Sequence, residues 1–289
     1  MTGDPFTAHR SLLFTVAYEM LGSAADADDV VQETWLRWAE VDRSEIRDAR
    51  AYLVRMVTRQ ALNRLRTMSR RREDYVGEWL PEPLLTSPDV ADDVELAESV
   101  SIAMLTVLET LAPVERAVLV LREVFDVPYE EIAEAVDKSP AAVRQIAHRA
   151  RGHVAARRPR MAVSRAEQQQ VVDRFLAAVT AGDIQGLMDV LAPDVVVVAD
   201  SGGLAPAARR PITGSERVAN ALSRFAQFAP RVEITTPLVN GTVAARIDAG
   251  GEFDTAITFV VEDGRITRMY AMRNPHKLQR LDEVAELRR

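Results

Sequence analysis

The chain has 289 residues (32.0 kDa), of which 47% are hydrophobic and 27% charged; it is longer than one ordinary domain and excludes a largely disordered polypeptide. No apolar run nears the roughly 20 residues that cross a bilayer, Met1-Thr2-Gly3-Asp4-Pro5 shows no signal peptide, and the absence of cysteine excludes disulfides, thiolate zinc sites and cysteine nucleophiles. A reducing, cytoplasmic setting is expected, and the net charge of −7, taken alone, argues against a polyanionic partner.

The elements, taken in chain order, change that last inference. Leu12, Leu13, Val16, Ala17, Met20 and Leu21 recur at helical spacing, as do Val30, Val31, Thr34, Trp35 and Trp38. In the second of these helices Asp28, Asp29, Gln32 and Glu33 form the polar side, opposite a face of Val30, Val31 and Trp35 that should be buried. A third helix buries Tyr52, Leu53, Met56, Val57, Ala61 and Leu65 and carries a stripe of Arg55, Arg59, Asn63, Arg66 and Arg70. Residues 43–72 hold ten arginines against two acids, a net of +8, after a net of −6 over residues 1–42. Prolines at 81, 83 and 88 forbid a continuous helix over residues 73–94, which read as an acidic linker; residues 73–137 carry −15. Helical periodicity then runs from about Val94 to Val154.

Within that stretch, Tyr129–Ala135 reads as a short helix, Val136-Asp137-Lys138 as a turn, and Ser139-Pro140 as the N-cap and first position of a second helix. Val143, Ile146, Ala147 and Ala150 face inward, which leaves Ala141, Arg144, Gln145, His148, Arg149 and Arg151 outward. Small, arginine and amide side chains near a helix N-terminus suit major-groove reading. Residues 138–160 hold seven basic residues and no acid. The acidic total thus conceals two basic blocks, a footprint for nucleic acid, and the linker acids are expected to shield them in the free protein.

From residue 165 the pattern becomes α+β. Helices are expected over Ala166–Ala181, Ile184–Leu191 and Ser215 to about Phe228. Strands are expected at Val195–Val198, Arg231–Leu238, Thr242–Ile247, Phe253–Val261 and Arg265–Met272, in a curled antiparallel sheet with Asn240-Gly241 and Asp263-Gly264 as hairpin turns. The polar candidates for pocket chemistry, Asp200, Arg246, Asp254, Tyr270 and His276, form no spacing that identifies a reaction.

Three stretches, Asp26–Arg37, Ala51–Arg66 and Leu111–Arg151, together resemble a bacterial sigma factor of the extracytoplasmic-function type. The resemblance implies two all-α domains followed by a third: region 2 over residues 1–72, the linker over 73–94, and a helix-turn-helix region 4 over 95–158. It implies core RNA polymerase as partner, through the β′ clamp helices at Asp28, Asp29, Gln32, Glu33 and Arg37 and through the β flap. Promoter DNA is the second implied partner. The minus-10 element would meet Arg55, Arg59, Asn63, Arg66 and Arg70, and the loop Val41–Asp48 would capture an extruded base. The minus-35 element would meet Ser139, Ala141, Arg144, Gln145, His148, Arg149 and Arg151; a glycine is common in the turn where this chain has Val136-Asp137-Lys138.

Residues 165–289 resemble a SnoaL-like α+β cone, the fold shared with ketosteroid isomerase, which offers an interior for a small ligand of unassigned chemistry. Sigma factors carrying such a domain share linker and cone motifs that match Trp79-Leu80-Pro81-Glu82-Pro83 and Asn274-Pro275-His276-Lys277-Leu278. Their Asp-Gly-Gly-Gly-Lys motif stands here as Asp200-Ser201-Gly202-Gly203-Leu204, without the lysine. The expectation is a promoter-selecting subunit, not an enzyme, with no cofactor or metal, whose third domain regulates it through these motifs in place of a separate anti-sigma protein.

Overall fold

The computed structural model describes residues 4–157, 163–224, 232–248 and 255–289, and only the backbone of residues 69–73. The chain forms two compact units. The first comprises Met1–Asp74, Met104–Arg158 and Glu286–Arg289; the second comprises Tyr75–Ala103 and Pro159–Ala285.

In the first unit α1 (Pro5–Leu21), α2 (Ala24–Ala39) and α3 (Ala49–Glu73) pack around Leu13, Val16, Tyr18, Met20, Trp38 and Leu53. Each such side chain contributes about 1.5–3 kcal/mol on leaving water. Asp4 caps α1 by accepting from the Phe6 N–H at 3.0 Å and also accepts from the Trp38 indole at 3.1 Å. These hydrogen bonds, the Phe6 one foremost, hold the Asp4 carboxyl below its ordinary value. Ser23 caps α2 from its side chain.

The second set of helices in this unit is α7 (Pro113–Glu123), α8 (Tyr129–Val136) and α9 (Pro140–Ala155). Asp137 ends α8 in the left-handed conformation (φ 55°, ψ 56°), and Lys138 N–H returns to the Ala133 carbonyl at 3.0 Å. An aspartate there costs about 1 kcal/mol relative to the glycine such turns favour, yet keeps the same geometry. Ser139 caps α9 through the Ala142 N–H at 3.2 Å, with Pro140 at the first position.

Arg116 of α7, 3% exposed, is the buried polar centre of this unit. Its Nη1 donates to the Met20 carbonyl in the last turn of α1 at 2.8 Å, and its fork grips Glu109 at 2.8 and 3.1 Å. Burial pulls its pKa down to about 10, so the guanidinium stays charged at neutral pH and complements the negative end of α1. The last residues of the chain also belong to this unit: Leu287 is buried, Ser11 donates to Glu286 at 3.2 Å, and Arg288 N–H donates to the Thr15 hydroxyl at 3.0 Å.

The second unit is built on a mixed sheet. Its strands, in chain order, are β1 (Leu85–Thr86), β2 (Leu191–Asp200), β3 (Ile212–Thr213), β4 (Glu233–Thr235), β5 (Leu238–Val239), β6 (Thr242–Asp248), β7 (Thr255–Glu262), β8 (Arg265–Met272) and β9 (Val284–Ala285). Their spatial order is β3-β2-β8-β7-β6-β5-β1-β9, with β4 on β6. The sheet is not the purely antiparallel one expected: β2 runs parallel to β8, from Val196 opposite Arg268 to Asp200 opposite Met272, and β1 runs parallel to β9. The long excursion between β2 and β8 supplies the crossover that parallel pairing needs. The run at 231–238 breaks before Leu238, and the parts of the expected strand and helix at Arg231, Phe253 and Phe228 lie outside the described residues.

One face of this sheet is covered by α10 (Arg165–Ala181), α11 (Ile184–Val190) and α12 (Ser215–Ser223), with Val172, Phe175, Leu187, Phe259, Ile266 and Met269 packed between. The opposite face packs Tyr270, Met272, Val239 and Ala256 against Leu80, Ile102 and Leu278. The segment read as a linker belongs to this unit, with Leu80 packed on this face and β1 and α4 (Pro88–Asp92) following it. Helix α5 (Val94–Val100) and the start of α6 (Ile102–Leu108), read as the beginning of region 4, belong to it as well, with Ile102 on the same face. No described helix is long and apolar enough to cross a membrane.

Arg116→Ala removes a buried guanidinium that donates to the partly buried Glu109 carboxylate and to a helix-terminal carbonyl, so it should destabilise the first unit by about 3 kcal/mol. Urea titration of the variant against the parent checks this, and an unchanged midpoint would contradict it.

Candidate functional site

Three groups of predicted residues, on α2, α3 and α9, lie in the first unit, and the short motifs and the pocket candidates lie in the second. On α2, Asp28 sits 3.5 Å from Arg10, and Asp29 pairs with Arg64, which also meets Asp26 at 2.7 Å. Gln32 and Glu33 are exposed, and Arg37 lies against the buried Gln60 carboxamide. Trp35, expected in the core, is instead 47% exposed. One helical residue advances 100°, so Val31 and Thr34 take the inward positions and Trp35 falls beside Gln32. With Phe6, Arg10, Asp28 and Val31, these two line a groove of about 450 Å³. An exposed indole with Leu36 beside it on a polar helix face is an apolar patch that the periodicity misassigned.

On α3 the polar stripe is present as expected. Arg59, Asn63 and Arg66 are exposed, Arg55 is half-buried, and Arg66 donates to Asn63 at 3.2 Å. The side chain of Arg70 lies outside the described residues. Arg55 and Arg59 are engaged from α8: Arg55 pairs with the Glu134 carboxylate, and Arg59 donates to the Glu134 carbonyl at 2.7 Å. Neither basic block hinted at this acid. The Trp38 ring is buried, and the Arg43 guanidinium sits 4.7 Å over it.

Along α9 every expected DNA-facing residue is exposed: Ser139, Ala141, Arg144, Gln145, His148, Arg149 and Arg151. Arg144 pairs with Glu130 at 2.7 Å, and Arg151 with Glu123 at 2.9 Å and the Tyr129 hydroxyl at 2.8 Å. The hydrogen bond that Arg151 donates to Glu123 is the main cause of its raised pKa, which keeps the charge secure.

In the second unit the three short motifs converge on one carboxylate. Asp200, 0% exposed at the end of β2, accepts from the Tyr75 hydroxyl at 2.5 Å and the Gly202 N–H at 3.1 Å on Oδ1. Its Oδ2 accepts from the Leu80 N–H at 2.8 Å and Lys277 Nζ at 2.7 Å. Lys277 also donates to the Leu80 carbonyl and lies 4.1 Å from the Trp79 ring and 5.0 Å from that of Tyr75. Asn274 caps the turn of α13 (Pro275–Leu278), accepting from the His276 N–H at 3.0 Å and donating to the Tyr75 hydroxyl at 2.7 Å. Pro81, Pro83 and Leu278 are buried, Glu82 is half-buried and Pro275 exposed.

Gly202 has φ +57°, and a Cβ there would come within 2.5 Å of Asn274 Nδ2, which fixes glycine at that place in the motif. Gly203 turns against Val76, and Leu204, where the family motif has lysine, is 58% exposed. The cation beside the carboxylate is Lys277.

Burial first, then the Asp200 carboxylate, pushes the Tyr75 phenol far above its ordinary value, so it remains a donor. Sequence reasoning missed Tyr75, since the residue precedes the linker motif. It also read Asn240 only as a hairpin corner. Asn240 is buried, with φ 52°; its Oδ1 accepts from Leu84 N–H at 2.8 Å and its Nδ2 donates to the Val100 carbonyl at 2.7 Å.

The candidates for pocket chemistry are committed elsewhere. Arg246 holds Asp282 at 2.6 Å, Tyr270 is buried in the linker-facing core, His276 is exposed, and Asp254 lies outside the described residues. Burial raises the Tyr270 pKa, with Arg268 opposing.

An arginine-striped helix and a helix-turn-helix in one unit, with a cone that binds a connecting segment in the other, define a multi-region DNA-directed factor. Family models agree: Sigma-70 region 2 matches residues 6–71, Sigma-70 region 4 matches 101–154, and the SnoaL-like domain matches 172–269. The ECF RNA polymerase sigma factor SigJ of Mycobacterium tuberculosis is 39% identical over 292 residues, 96% of this chain and 93% of its own. The crystal structure of SigJ matches with a TM-score of 0.78 at 36% identity, covering 96% of this chain and 98% of that one. The probable ECF RNA polymerase sigma factor SigI of the same organism is 31% identical over 279 residues, covering 95% and 93%. The chain belongs to the ECF RNA polymerase sigma factors, which act in transcription initiation and are not enzymes.

Asp200→Ala should leave the Lys277 ammonium buried without its carboxylate and cost the second unit about 3–5 kcal/mol. Limited proteolysis should then cut faster near Trp79, and equal cleavage in parent and variant would refute this role.

Proposed function

We propose that this sigma factor binds core polymerase through the α1–α2 groove, selects promoters with α3 and α9, and is regulated by its own cone domain. The observation that carries the regulatory part is the buried Asp200–Lys277 pair, which accepts from the Tyr75 hydroxyl and the Leu80 N–H and donates to the Leu80 carbonyl, all in the segment joining region 2 to region 4. A cone that holds this segment acts on the connection between the two promoter-reading regions, the role a separate anti-sigma protein has elsewhere. A cytoplasmic location follows from that work.

On α9, Arg144 and Gln145 lie in the second turn with exposed side chains, placed for base edges of the minus-35 element, while Arg149 and Arg151 suit phosphates. On α3, Arg55, Arg59, Asn63, Arg66 and Arg70 suit the minus-10 strand, and Arg43 and Trp38 mark the base-capture loop. In the groove, Trp35 supplies the apolar anchor and Asp28 and Gln32 the polar rim, with Asp29, Glu33 and Arg37 elsewhere on α2.

Trp35→Ala should weaken capture of core polymerase by about tenfold or more, the scale of a lost aromatic anchor, while leaving DNA binding by the isolated protein unchanged. Pull-down and run-off transcription with core polymerase test this; full retention of both activities would remove the groove from the proposal. Lys277→Met should alter run-off yield from a mapped promoter while polymerase capture persists. An unchanged yield would count against control through the linker.

A further inference from the structure

Glu134 and Glu130 are four residues apart on α8, about 6 Å along the helix axis. The first engages Arg55 and Arg59 of α3, and the second engages Arg144 of α9. Arginines assigned to two different promoter elements are thus parked one helical turn apart. Elements centred near positions −10 and −35 are about 25 base pairs apart, or roughly 85 Å at 3.4 Å per step. No bound state can satisfy both distances, so these contacts belong to a form that is not on the promoter. A groove of about 870 Å³ lies between the two helices, lined by Tyr52, Arg55, Arg59, Asn63, Glu134 and Lys138. Arg55 faces a carboxylate there and Arg59 a backbone carbonyl, where a strand would bring phosphates.

We propose that α8 is an internal stand-in for the DNA backbone, with Glu134 occupying the phosphate-binding ends of Arg55 and Arg59 and Glu130 that of Arg144. The proposal rests on the DNA-binding reading of α3 and α9 and adds the acid that competes with it. The masking is self-contained in the first unit and needs no second protein. It is also weak by construction, because the Arg55 and Glu134 side chains are 32% and 61% exposed and water screens the pair. A polyanion with closely spaced charges displaces such a carboxylate, whereas an isolated small anion does so poorly.

The test uses the full chain and a short fluorescein-labelled single-stranded oligonucleotide, with affinity read by anisotropy over a salt series. Glu134→Gln should bind about two- to fivefold more tightly than the parent, the scale of one exposed ion pair. Glu131→Gln makes the same charge change on the same helix and should give a smaller gain. Adding Arg55→Ala and Arg59→Ala to Glu134→Gln should abolish the gain.

If Glu134→Gln binds no more tightly than Glu131→Gln while the arginine variants bind less tightly, masking is wrong and the DNA-binding stripe stands. If the gain persists without both arginines, the stripe is not the DNA site and masking falls with it. Gains confined to Glu134→Gln and dependent on the arginines support the proposal.

Discussion

A carboxylate with no solvent exposure has to be surrounded by donors, and Asp200 dictates much of the second unit on that account. Two backbone N–H groups, a phenol and an ammonium meet its two oxygens. Each donor imposes a local requirement. Gly202 must turn left-handed, Leu80 must present its backbone, Asn274 must position the phenol, and Lys277 must enter from a short helical turn. Removing the carboxylate would strand the ammonium, and removing the ammonium would strand the carboxylate, so the motifs are energetically a single object. Their wide separation in the sequence reflects only the route the chain takes around the sheet.

The same need to satisfy buried groups orders a proline-rich acidic segment. Prolines at 81 and 83 withhold donors and stiffen the backbone, so little chain entropy is lost on docking. Leu80 fills the apolar face of the sheet, β1 adds to its edge, and Asn240 satisfies backbone groups at both Leu84 and Val100. A segment lacking its own core thereby borrows one. The opposite face is packed by Val172, Phe175, Phe259 and Met269, so among the described residues both faces of the sheet bury apolar side chains.

The sequence made the helical regions legible because their burial follows a period that one strand of text can show. The left-handed Asp137 turn and the Ser139 cap lie where residue chemistry puts them. Periodicity erred at Trp35, whose size suggested burial although its angular position is outward. Parallel pairing of β2 with β8 could not be read locally, since pairing direction is set by the intervening crossover. Tyr75 was invisible for a related reason: its partners are 125 and 199 residues away. The resemblance to known motifs located Asp200, Asn274 and Lys277 but carried no information on which atom bonds which.

Charge blocks located the basic surfaces but not their counterions. The −15 stretch includes the linker, yet within the first unit the acids of that stretch that meet the basic blocks are Glu123, Glu130 and Glu134 of α7 and α8, while Asp4, Asp26 and Asp29 meet Arg43 and Arg64. Two classes of ion pair result, and exposure separates them. Asp200–Lys277 and Arg116–Glu109 are shielded from water, so breaking either leaves an uncompensated charge and the pair is effectively permanent. The α8 pairs lie in solvent, contribute little to stability and exchange readily. A factor that kept its fold while surrendering its arginines to DNA, as proposed for α3 and α9, would draw on both classes, with the permanent pairs in the cores and the exchangeable ones on those two helices.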